Sequence, residues 1–250
     1  MTDPRHSEHG SRLPLYITGR HPCSYLPGLA ARTLFADPTA TMDGPLYESL
    51  LAQGFRRSGT HVYRPACEFC TRCVSVRVPV DAFAPNRSQR RNALRNGSDV
   101  TLIERPAVFD PEHSALYETY VRSRHPEGSM ADEASPDSYR DFLIIPWGGE
   151  TLLMELRLNG RLVGAAVTDR LPGALSAVYT YFDPEFAERA PGTFAVLSQI
   201  ALARRLGLKY LYLGYWVEEC RKMSYKDAYR PLQGWINGRW KEFGRGKRIA

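Results

Sequence analysis

The sequence lacks a long apolar segment. None of its hydrophobic runs approaches the ~20 residues that a helix needs to span a bilayer, and the polar residues 1–6 do not form a signal peptide. We therefore expect a cytoplasmic protein with no membrane partner, in which thiols stay reduced. A structural disulfide is then the less favoured interpretation of the five cysteines.

Glycine is scarce where a pyrophosphate-binding turn would need it. Such turns precede a helix and present backbone N–H groups to the phosphates. Residues 182–193, which precede a predicted helix, contain one glycine, two glutamates and two prolines. Because acidic side chains repel a pyrophosphate, this segment argues against a cofactor such as coenzyme A.

The overall composition is typical of a globular protein, with 43% hydrophobic and 24% charged residues. A length of 250 residues predicts one or two domains. The net charge of +6 is carried largely by clustered arginines, and a guanidinium group can donate two parallel hydrogen bonds to a phosphate. The charge therefore favours a polyanionic partner.

The first half of the chain alternates helical and extended patterns. Residues 43–54 predict a helix that begins at Asp43 or Gly44 and ends at Gly54. Residues 55–64 and 74–80 predict strands, with a cysteine-rich loop between them. Two further helices are predicted at 85–96 and 111–124. A domain boundary is expected between residues 104 and 112.

The second half has a clearer pattern. Residues 151–158 and 161–169 predict strands joined by Asn159-Gly160, a dipeptide typical of tight hairpins. A strand at 175–182, a helix at 194–206 and a strand at 209–214 follow. This order is typical of the GNAT acyltransferase fold, which is built around a splayed sheet. We predict an α/β (α+β) protein with two GNAT-like lobes, each a mixed, mostly antiparallel sheet flanked by helices.

The predicted organisation follows from these elements. It consists of a disordered N-terminus at 1–12, an N-terminal lobe with the cysteines at 13–104, a C-terminal GNAT-like lobe at 105–240 and a basic tail at 241–250.

Four cysteines form a candidate metal site. Cys67, Cys70 and Cys73 are spaced by two residues, and Cys23 lies upstream. Four thiolates suit zinc or an iron–sulfur cluster. The alternative is a set of reduced thiols that support a loop, and the sequence does not decide between the two because it does not show whether the cysteines converge.

A basic face is predicted on the helix at 85–96. Arg87, Arg91 and Arg95 recur every four residues, with Arg90 alongside. Like charges at this spacing repel by roughly a few tenths of a kcal/mol per pair, and no acidic residue within the helix offsets them. A nucleic acid explains this face better than helix stability does, whereas a solvated surface is the alternative.

Two further segments carry candidate functional residues. Tyr117, Tyr120 and Arg124 can share one helical face that ends at His125, although such a histidine is by itself more often structural than catalytic. Residues 210–231 mix aromatic rings with lysines, a pattern that suits base stacking and phosphate contact. The alternative is a buried aromatic cluster with snorkelling lysines, which is favoured for Tyr210 and Tyr212. For Lys222 and Lys226, one helical turn apart, a functional role is favoured.

Five motifs together resemble the bacterial aspartate/glutamate leucyltransferases, which belong with the eukaryotic arginyl-tRNA–protein transferases. The resemblance runs from about residue 13 to about residue 240. The motifs are Tyr25-Leu-Pro-Gly28, Tyr63-Arg-Pro-x-Cys-x-x-Cys-x-x-Cys73, Ser88-x-Arg-Arg-Asn92, Arg124-His-Pro-x-Gly-x-Met130 and Gly214-Tyr-Trp-x-x-x-Cys-x-Lys-Met-x-Tyr-Lys226.

The resemblance implies transfer of an amino acid from aminoacyl-tRNA to the N-terminus of a protein, and a role in N-degron (N-end rule) degradation. It implies leucine as the donor residue, with arginine as the alternative, and proteins with N-terminal Asp or Glu as acceptors. An aminoacyl ester is already activated, so the chemistry requires no cofactor. In eukaryotic relatives the N-terminal cysteines have been linked to iron–sulfur or haem binding.

With this resemblance, the candidate residues take provisional roles. The residues expected around the reacting ester are Tyr181, Tyr215, Lys222, Tyr225 and Lys226, with Asp183 as a weaker candidate proton acceptor. The residues expected to bind the tRNA or the acceptor are Arg87, Arg90, Arg91, Arg95, Tyr120, Arg124, His125, Gly214 and Trp216. The candidate metal ligands are Cys23, Cys67, Cys70 and Cys73.

Two other functions compete with this interpretation. A coenzyme A-dependent N-acetyltransferase would share the GNAT fold, but residues 182–193 argue against it. A non-enzymatic, metal-dependent RNA-binding module would explain the cysteines and arginines, but it would leave the C-terminal GNAT-like half without a role.

Overall fold

The computed structural model describes residues 13–124 and 129–249. The predicted disordered segment 1–12 therefore lies outside the described residues. The strands are β1 (Leu15–Ile17), β2 (His21–Pro22), β3 (Ala30–Ala31), β4 (Thr33–Ala36), β5 (Arg56–Ser58), β6 (His61–Pro65), β7 (Val74–Pro79), β8 (Val100–Pro106), β9 (Glu150–Leu158), β10 (Arg161–Arg170), β11 (Ala174–Phe182), β12 (Tyr210–Trp216), β13 (Leu232–Ile236) and β14 (Arg239–Phe243).

The helices lie between these strands. They are α1 (Gly44–Ala52), α2 (Arg87–Gly97), α3 (Pro111–Arg124), α4 (Ser129–Asp132), α5 (Pro136–Tyr139), α6 (Pro191–Arg205) and α7 (Arg221–Ser224). A π-helical turn covers Arg140–Ile144, and 3-10 helices cover Pro184–Arg189 and Tyr225–Ala228.

One large sheet organises the molecule. Its eight strands run in the order β14-β13-β7-β12-β11-β10-β9-β8, and every neighbouring pair is antiparallel except β11 and β12. Successive side chains of a strand point to opposite faces, so Ala165 and Val167 pack under α3 while Ala166 packs under α6. The predicted class, a mixed and mostly antiparallel sheet flanked by helices, is confirmed.

A smaller sheet lies against the large one. It has the strand order β1-β4-β6-β5. The helix α1, capped by Asp43 as predicted, buries Tyr47, Leu50 and Leu51 in a core shared with Tyr212 of β12. The N-terminal half therefore packs directly on a strand that the sequence analysis assigned to the C-terminal lobe.

The single strand predicted at 55–64 is wrong. The chain reverses at Gly59 and forms the hairpin of β5 and β6 instead. Gly59 has a φ of 57°, and a Cβ there would lie 2.8 Å from the carbonyl oxygen of Asp141. Only glycine accommodates both the left-handed backbone and this close approach.

The predicted division at residue 104 falls inside β8. That strand pairs with β9 from Val100 through Pro106, so its pairing continues across the Arg105-Pro106 dipeptide. The strand β7 likewise comes from the first half of the chain but lies between β12 and β13. The two predicted lobes thus share the large sheet.

Tight turns follow the Asn-Gly signal. The hairpin of β9 and β10 turns at Asn159 and Gly160, with φ of 51° and 82°, which confirms the prediction. Asn237-Gly238 joins β13 and β14 with the same geometry, at 52° and 75°. The same dipeptide thus marked this second hairpin, which the sequence analysis did not include.

Candidate active site

The two parallel neighbours in the large sheet separate along their length. Backbone pairing joins β11 and β12 only from Ala174 opposite Tyr210 to Ser176 opposite Tyr212. Beyond that point β11 continues to Phe182 and β12 to Trp216. The pairing of β12 with β7 also shifts register between Tyr212 and Gly214. This bulge bends β12 away from β11 and opens the sheet.

Gly214 lies at this bulge. Its φ is +75°, and a Cβ there would lie 3.2 Å from Nη1 of Arg56. The predicted substrate-binding residue Gly214 is thus the position that lets an arginine of β5 approach the backbone of β12. Sequence analysis did not single out Arg56.

Arg56 is surrounded by tyrosines. Its side chain is half-buried. Burial acts to lower its pKa, but the phenol groups nearby outweigh this effect and raise it. The interacting phenols belong to Tyr63, Tyr25, Tyr215 and Tyr47. Two of these tyrosines come from the motifs that carry the family resemblance in the N-terminal half, so both halves of the chain build the site.

Lys226 contacts the backbone of Tyr215. It is 4% exposed, and its Nζ donates a hydrogen bond to the backbone carbonyl of Tyr215 at 2.5 Å. Burial lowers the pKa of Lys226 to about 7, and the positive charge of Arg56 contributes in the same direction. A substantial fraction of Lys226 is therefore neutral near pH 7, so its amine can accept a proton.

Tyr215 and Tyr225 border this lysine. The Tyr215 hydroxyl donates to the carbonyls of Gly54 at 3.0 Å and Tyr63 at 3.1 Å, so its role is to hold the two halves together. Lys226 Nζ lies 5.3 Å from the centre of the Tyr225 ring. Tyr225 is 52% exposed and is the ring available to a substrate.

The predicted acceptor residues lie partly at the same place. Tyr120 interacts with Tyr225. Burial raises the pKa of Tyr120, and the nearby guanidinium of Arg124 opposes that rise. Arg124 is exposed. His125 lies outside the described residues.

Other predicted site residues are held elsewhere. Tyr181 is fully buried under α3, where its hydroxyl contacts Nδ1 of His113 at 2.8 Å and the hydroxyl of Tyr139 at 3.2 Å. Trp216 is buried in the core cluster beneath α6. Lys222 lies on the exposed side of α7, in contrast to Lys226.

Asp183, the weaker candidate proton acceptor, is a helix cap. Its carboxylate accepts from the backbone N–H of Glu185 at 3.0 Å and pairs with Arg161. These contacts occupy both carboxylate oxygens and explain its position before the helix Pro184–Arg189. The same segment shows acidic residues where a pyrophosphate cradle would need glycine.

The basic face of α2 is exposed. Arg87, Arg90, Arg91 and Arg95 all lie on the surface, and none of them forms an ion pair with an acidic side chain of the described chain. The opposite face of α2 is held by amides: Gln89 donates to the carbonyl of Ala228 at 3.0 Å. This bond ties the basic helix to the segment that carries Lys226.

Cys73 lies near the other four cysteines. Burial raises the pKa of Cys73 to about 12, and the sulfurs of Cys23, Cys70, Cys67 and Cys220 contribute to that rise. Cys220 was not among the predicted ligands; its place in the motif of residues 214–226 was the available signal. The sulfurs match the donors of zinc and iron–sulfur sites. In residues 13–124 and 129–249, however, no three side chains of His, Cys, Asp or Glu are arranged to hold a metal ion.

A mixed sheet whose parallel strands separate is the GNAT-like arrangement that the sequence analysis expected. Residues 21–91 match the family model for the N terminus of arginine-tRNA-protein transferase, and residues 112–236 match the model for its C terminus. The chain belongs to the arginine-tRNA-protein transferase family. It is therefore an aminoacyltransferase that uses aminoacyl-tRNA and a protein substrate.

Curated relatives match over most of the chain. The aspartate/glutamate leucyltransferase of Pseudomonas paraeruginosa is 49% identical over 232 residues, which cover 92% of this chain and 97% of the relative. The aspartate/glutamate leucyltransferase of Chromobacterium violaceum is 45% identical over 243 residues, covering 96% and 99%.

Solved structures show a more distant likeness. The structure of L-PGS from Bacillus licheniformis has a TM-score of 0.45 and 13% identity, with 68% of this chain and 48% of that chain covered. FemX has a TM-score of 0.42 and 12% identity, with 67% and 59% covered. Within the described residues, none of the helices has the length and apolar character needed to cross a bilayer.

Proposed function

We propose that this enzyme transfers leucine from Leu-tRNA to the N-terminal Asp or Glu of proteins and so marks them for N-degron degradation. The names of the curated relatives support leucine as the donor and acidic residues as acceptors. The structural observation that carries the chemistry is the buried Lys226, with a pKa of about 7 beside the opening between β11 and β12.

The reaction needs little beyond positioning and proton transfer. The acceptor α-amine has a reference pKa of about 7.7–8.0, so part of it is neutral at pH 7. Its nitrogen attacks the ester carbonyl, a C–N bond forms, and the bond from the carbonyl carbon to the tRNA ribose oxygen breaks. Neutral Lys226 accepts the proton lost by the amine and returns it to the departing ribose oxygen. The products are an amide and uncharged tRNA.

The remaining parts of the site bind the substrates. The exposed arginines of α2 bind the tRNA backbone, because four guanidinium groups that form no ion pair within the described part of the chain suit a chain of phosphates. Tyr120 and Arg124 line the acceptor entrance, and a role for His125 in binding the acceptor stays part of the proposal. Tyr225 packs against the aminoacyl end, since its ring is exposed next to Lys226.

The cysteine cluster forms a separate part of the proposal. Cys23, Cys67, Cys70 and Cys73 would hold zinc or an iron–sulfur cluster, which would stabilise their loop without taking part in the transfer. Elemental analysis and an absorption spectrum of anaerobically purified protein test this. Stoichiometric zinc or iron supports the site, and metal-free active protein contradicts it.

The donor and acceptor are tested directly. Labelled Leu-tRNA and Arg-tRNA are incubated with the enzyme and with peptides that begin with Asp, Glu, Gln or Lys. We expect label to move from Leu-tRNA to the Asp and Glu peptides only. Transfer from Arg-tRNA alone would replace leucine as the donor, and no transfer from either tRNA would reject the proposed function.

A further inference from the structure

Two neighbouring arginines of β5 have opposite surroundings. Arg57 is 1% exposed and forms a bidentate pair with Asp169, with Nε to Oδ2 at 2.6 Å and Nη2 to Oδ1 at 2.5 Å. Arg56 points to the other side of the strand, as adjacent residues of a strand must. No acidic side chain of the described chain forms an ion pair with Arg56.

Arg56 has no anionic partner among the described residues. A guanidinium removed from water needs an anion or several hydrogen bonds to compensate. The groups around Arg56 are phenols, and Lys226 lies close enough for the charge of Arg56 to lower its pKa. Because Arg56 keeps its charge while Lys226 is partly neutral near pH 7, this half-buried site attracts an anion that the described residues do not supply.

We propose that Arg56 binds the side-chain carboxylate of the acceptor's N-terminal Asp or Glu. This inference rests on the proposed function and assigns the residue that determines acceptor specificity. The carboxylate of Asp or Glu lies only a few bonds from the α-nitrogen of the same residue. Holding it on Arg56 therefore places the attacking amine beside Lys226, where its proton must be taken up.

The surroundings of Arg56 favour a carboxylate over a phosphate of the tRNA. The guanidinium is enclosed by Tyr25, Tyr63 and Tyr215 and approaches the bulge at Gly214. This enclosed position suits a small planar group that two parallel N–H bonds can hold. The exposed face of α2 is the surface that suits a chain of phosphates.

The same contact predicts discrimination against Asn and Gln. Their amides have nearly the shape of the acidic side chains but carry no charge. A neutral amide leaves Arg56 without an anion in a site of low effective dielectric, where a charge pair is stronger than in water. The geometry therefore selects for charge at the acceptor side chain.

The test compares Arg56→Met and Arg56→Lys with the unmodified enzyme. Leucine transfer is measured with peptides that differ only in a first residue of Glu or Gln. We expect Arg56→Met to lower kcat/KM for the Glu peptide by about 100-fold, mainly through KM, and to bring the ratio of Glu to Gln peptide rates close to one. Arg56→Lys keeps the charge and should retain part of the preference. The control is Arg205→Met, because Arg205 is an exposed arginine of α6 paired with Glu104.

Each result has a defined meaning. Equal losses for the Glu and Gln peptides in Arg56→Met, which leave the ratio of their rates unchanged, would overturn the assignment. A rise in KM confined to Leu-tRNA would also overturn it, because it would indicate a phosphate ligand. Circular dichroism spectra confirm that the variants fold. Calorimetric binding of the two peptides without tRNA separates this inference from the proposed function. A preference for the Glu peptide that depends on Arg56 supports the carboxylate site, even if the unmodified enzyme transfers no leucine. Binding of the two peptides without preference rejects the carboxylate site.

Discussion

At the scale of single residues, the site depends on two cations with different surroundings. Lys226 is buried and hydrogen-bonded to the Tyr215 carbonyl, so its amine is positioned to exchange a proton. Arg56 is held above the backbone of Gly214 and keeps its charge. A proton-transfer group and a fixed charge therefore lie next to each other.

The pKa of Lys226 predicts a pH dependence. Because burial lowers this pKa to about 7, neutral Lys226 becomes the main form as the pH rises above 7. Single-turnover transfer should therefore show a step near pH 7, separate from the further rise at about pH 8 where the acceptor α-amine loses its own proton. In Lys226→Arg, which stays charged, we expect the step near pH 7 to vanish and the rate to fall about 100-fold or more.

The control for this experiment is Lys222→Arg. Lys222 is exposed and lies in the same motif, and the substitution preserves its charge, so the pH profile should keep its step near pH 7. A Lys226→Arg enzyme that retains that step would show that another group transfers the proton.

Gly214 predicts a combined effect on stability and activity. An L-residue with a φ of +75° is strained by about 1–2 kcal/mol, and a Cβ would press on Arg56. We expect Gly214→Ala to lower the free energy of unfolding in urea by about that amount and to weaken the preference for Glu peptides. Gly97→Ala is the matched control, because a Cβ at Gly97 has no neighbour within 4 Å. Full activity of Gly214→Ala would contradict the close approach.

At the scale of elements, the two faces of α2 have different roles: one anchors the helix and the other presents arginines. Its inner face is polar and anchors the helix through Gln89 and Asn92, which donate to the carbonyls of Ala228 and Arg189. Its outer face carries the exposed arginines. A helix attached through amides can present cations outward without needing an apolar face.

The outer face of α2 predicts a salt effect. We expect Arg91→Ala combined with Arg95→Ala to raise the KM for Leu-tRNA and to reduce the slope of log affinity against log salt by about 2, since each phosphate contact contributes about 1. The KM for the acceptor peptide should not change. An unchanged salt slope would show that α2 does not contact the tRNA.

At the scale of the whole molecule, the two halves of the chain are joined by a buried ion pair. Arg57 of β5 and Asp169 of β10 are both fully buried, and Thr151 and Trp147 complete their hydrogen bonds. This network places the hairpin of β5 and β6 on the large sheet. It thereby sets where the neighbouring Arg56 emerges.

The ion pair predicts non-additive stability losses. Arg57→Met leaves a buried carboxylate without its partner, so we expect a loss of about 3–5 kcal/mol in the free energy of unfolding. Arg57→Met together with Asp169→Leu removes both charges and should lose less than the two single variants combined. A double-mutant cycle in urea measures this, and additive losses would contradict the coupling.

The sequence alone determined the local structure and the family of this protein. The helix signals at Asp43 and the Asn159-Gly160 turn depend on nearby residues, and local energetics act over a few positions. The family motifs likewise need only the order of the residues. The hairpin at Gly59 was missed because its close contact with Asp141 is distant in sequence.

Only the tertiary structure decided which charged residues form the site. Arg56 and Arg57 are adjacent and chemically identical in the sequence, yet one is paired with Asp169 and the other lies beside Lys226. Strand alternation sends them to opposite faces, and long-range packing determines what each face meets. Burial likewise separates Lys226 from Lys222, since desolvation, which lowers the pKa, exists only once the chain has folded.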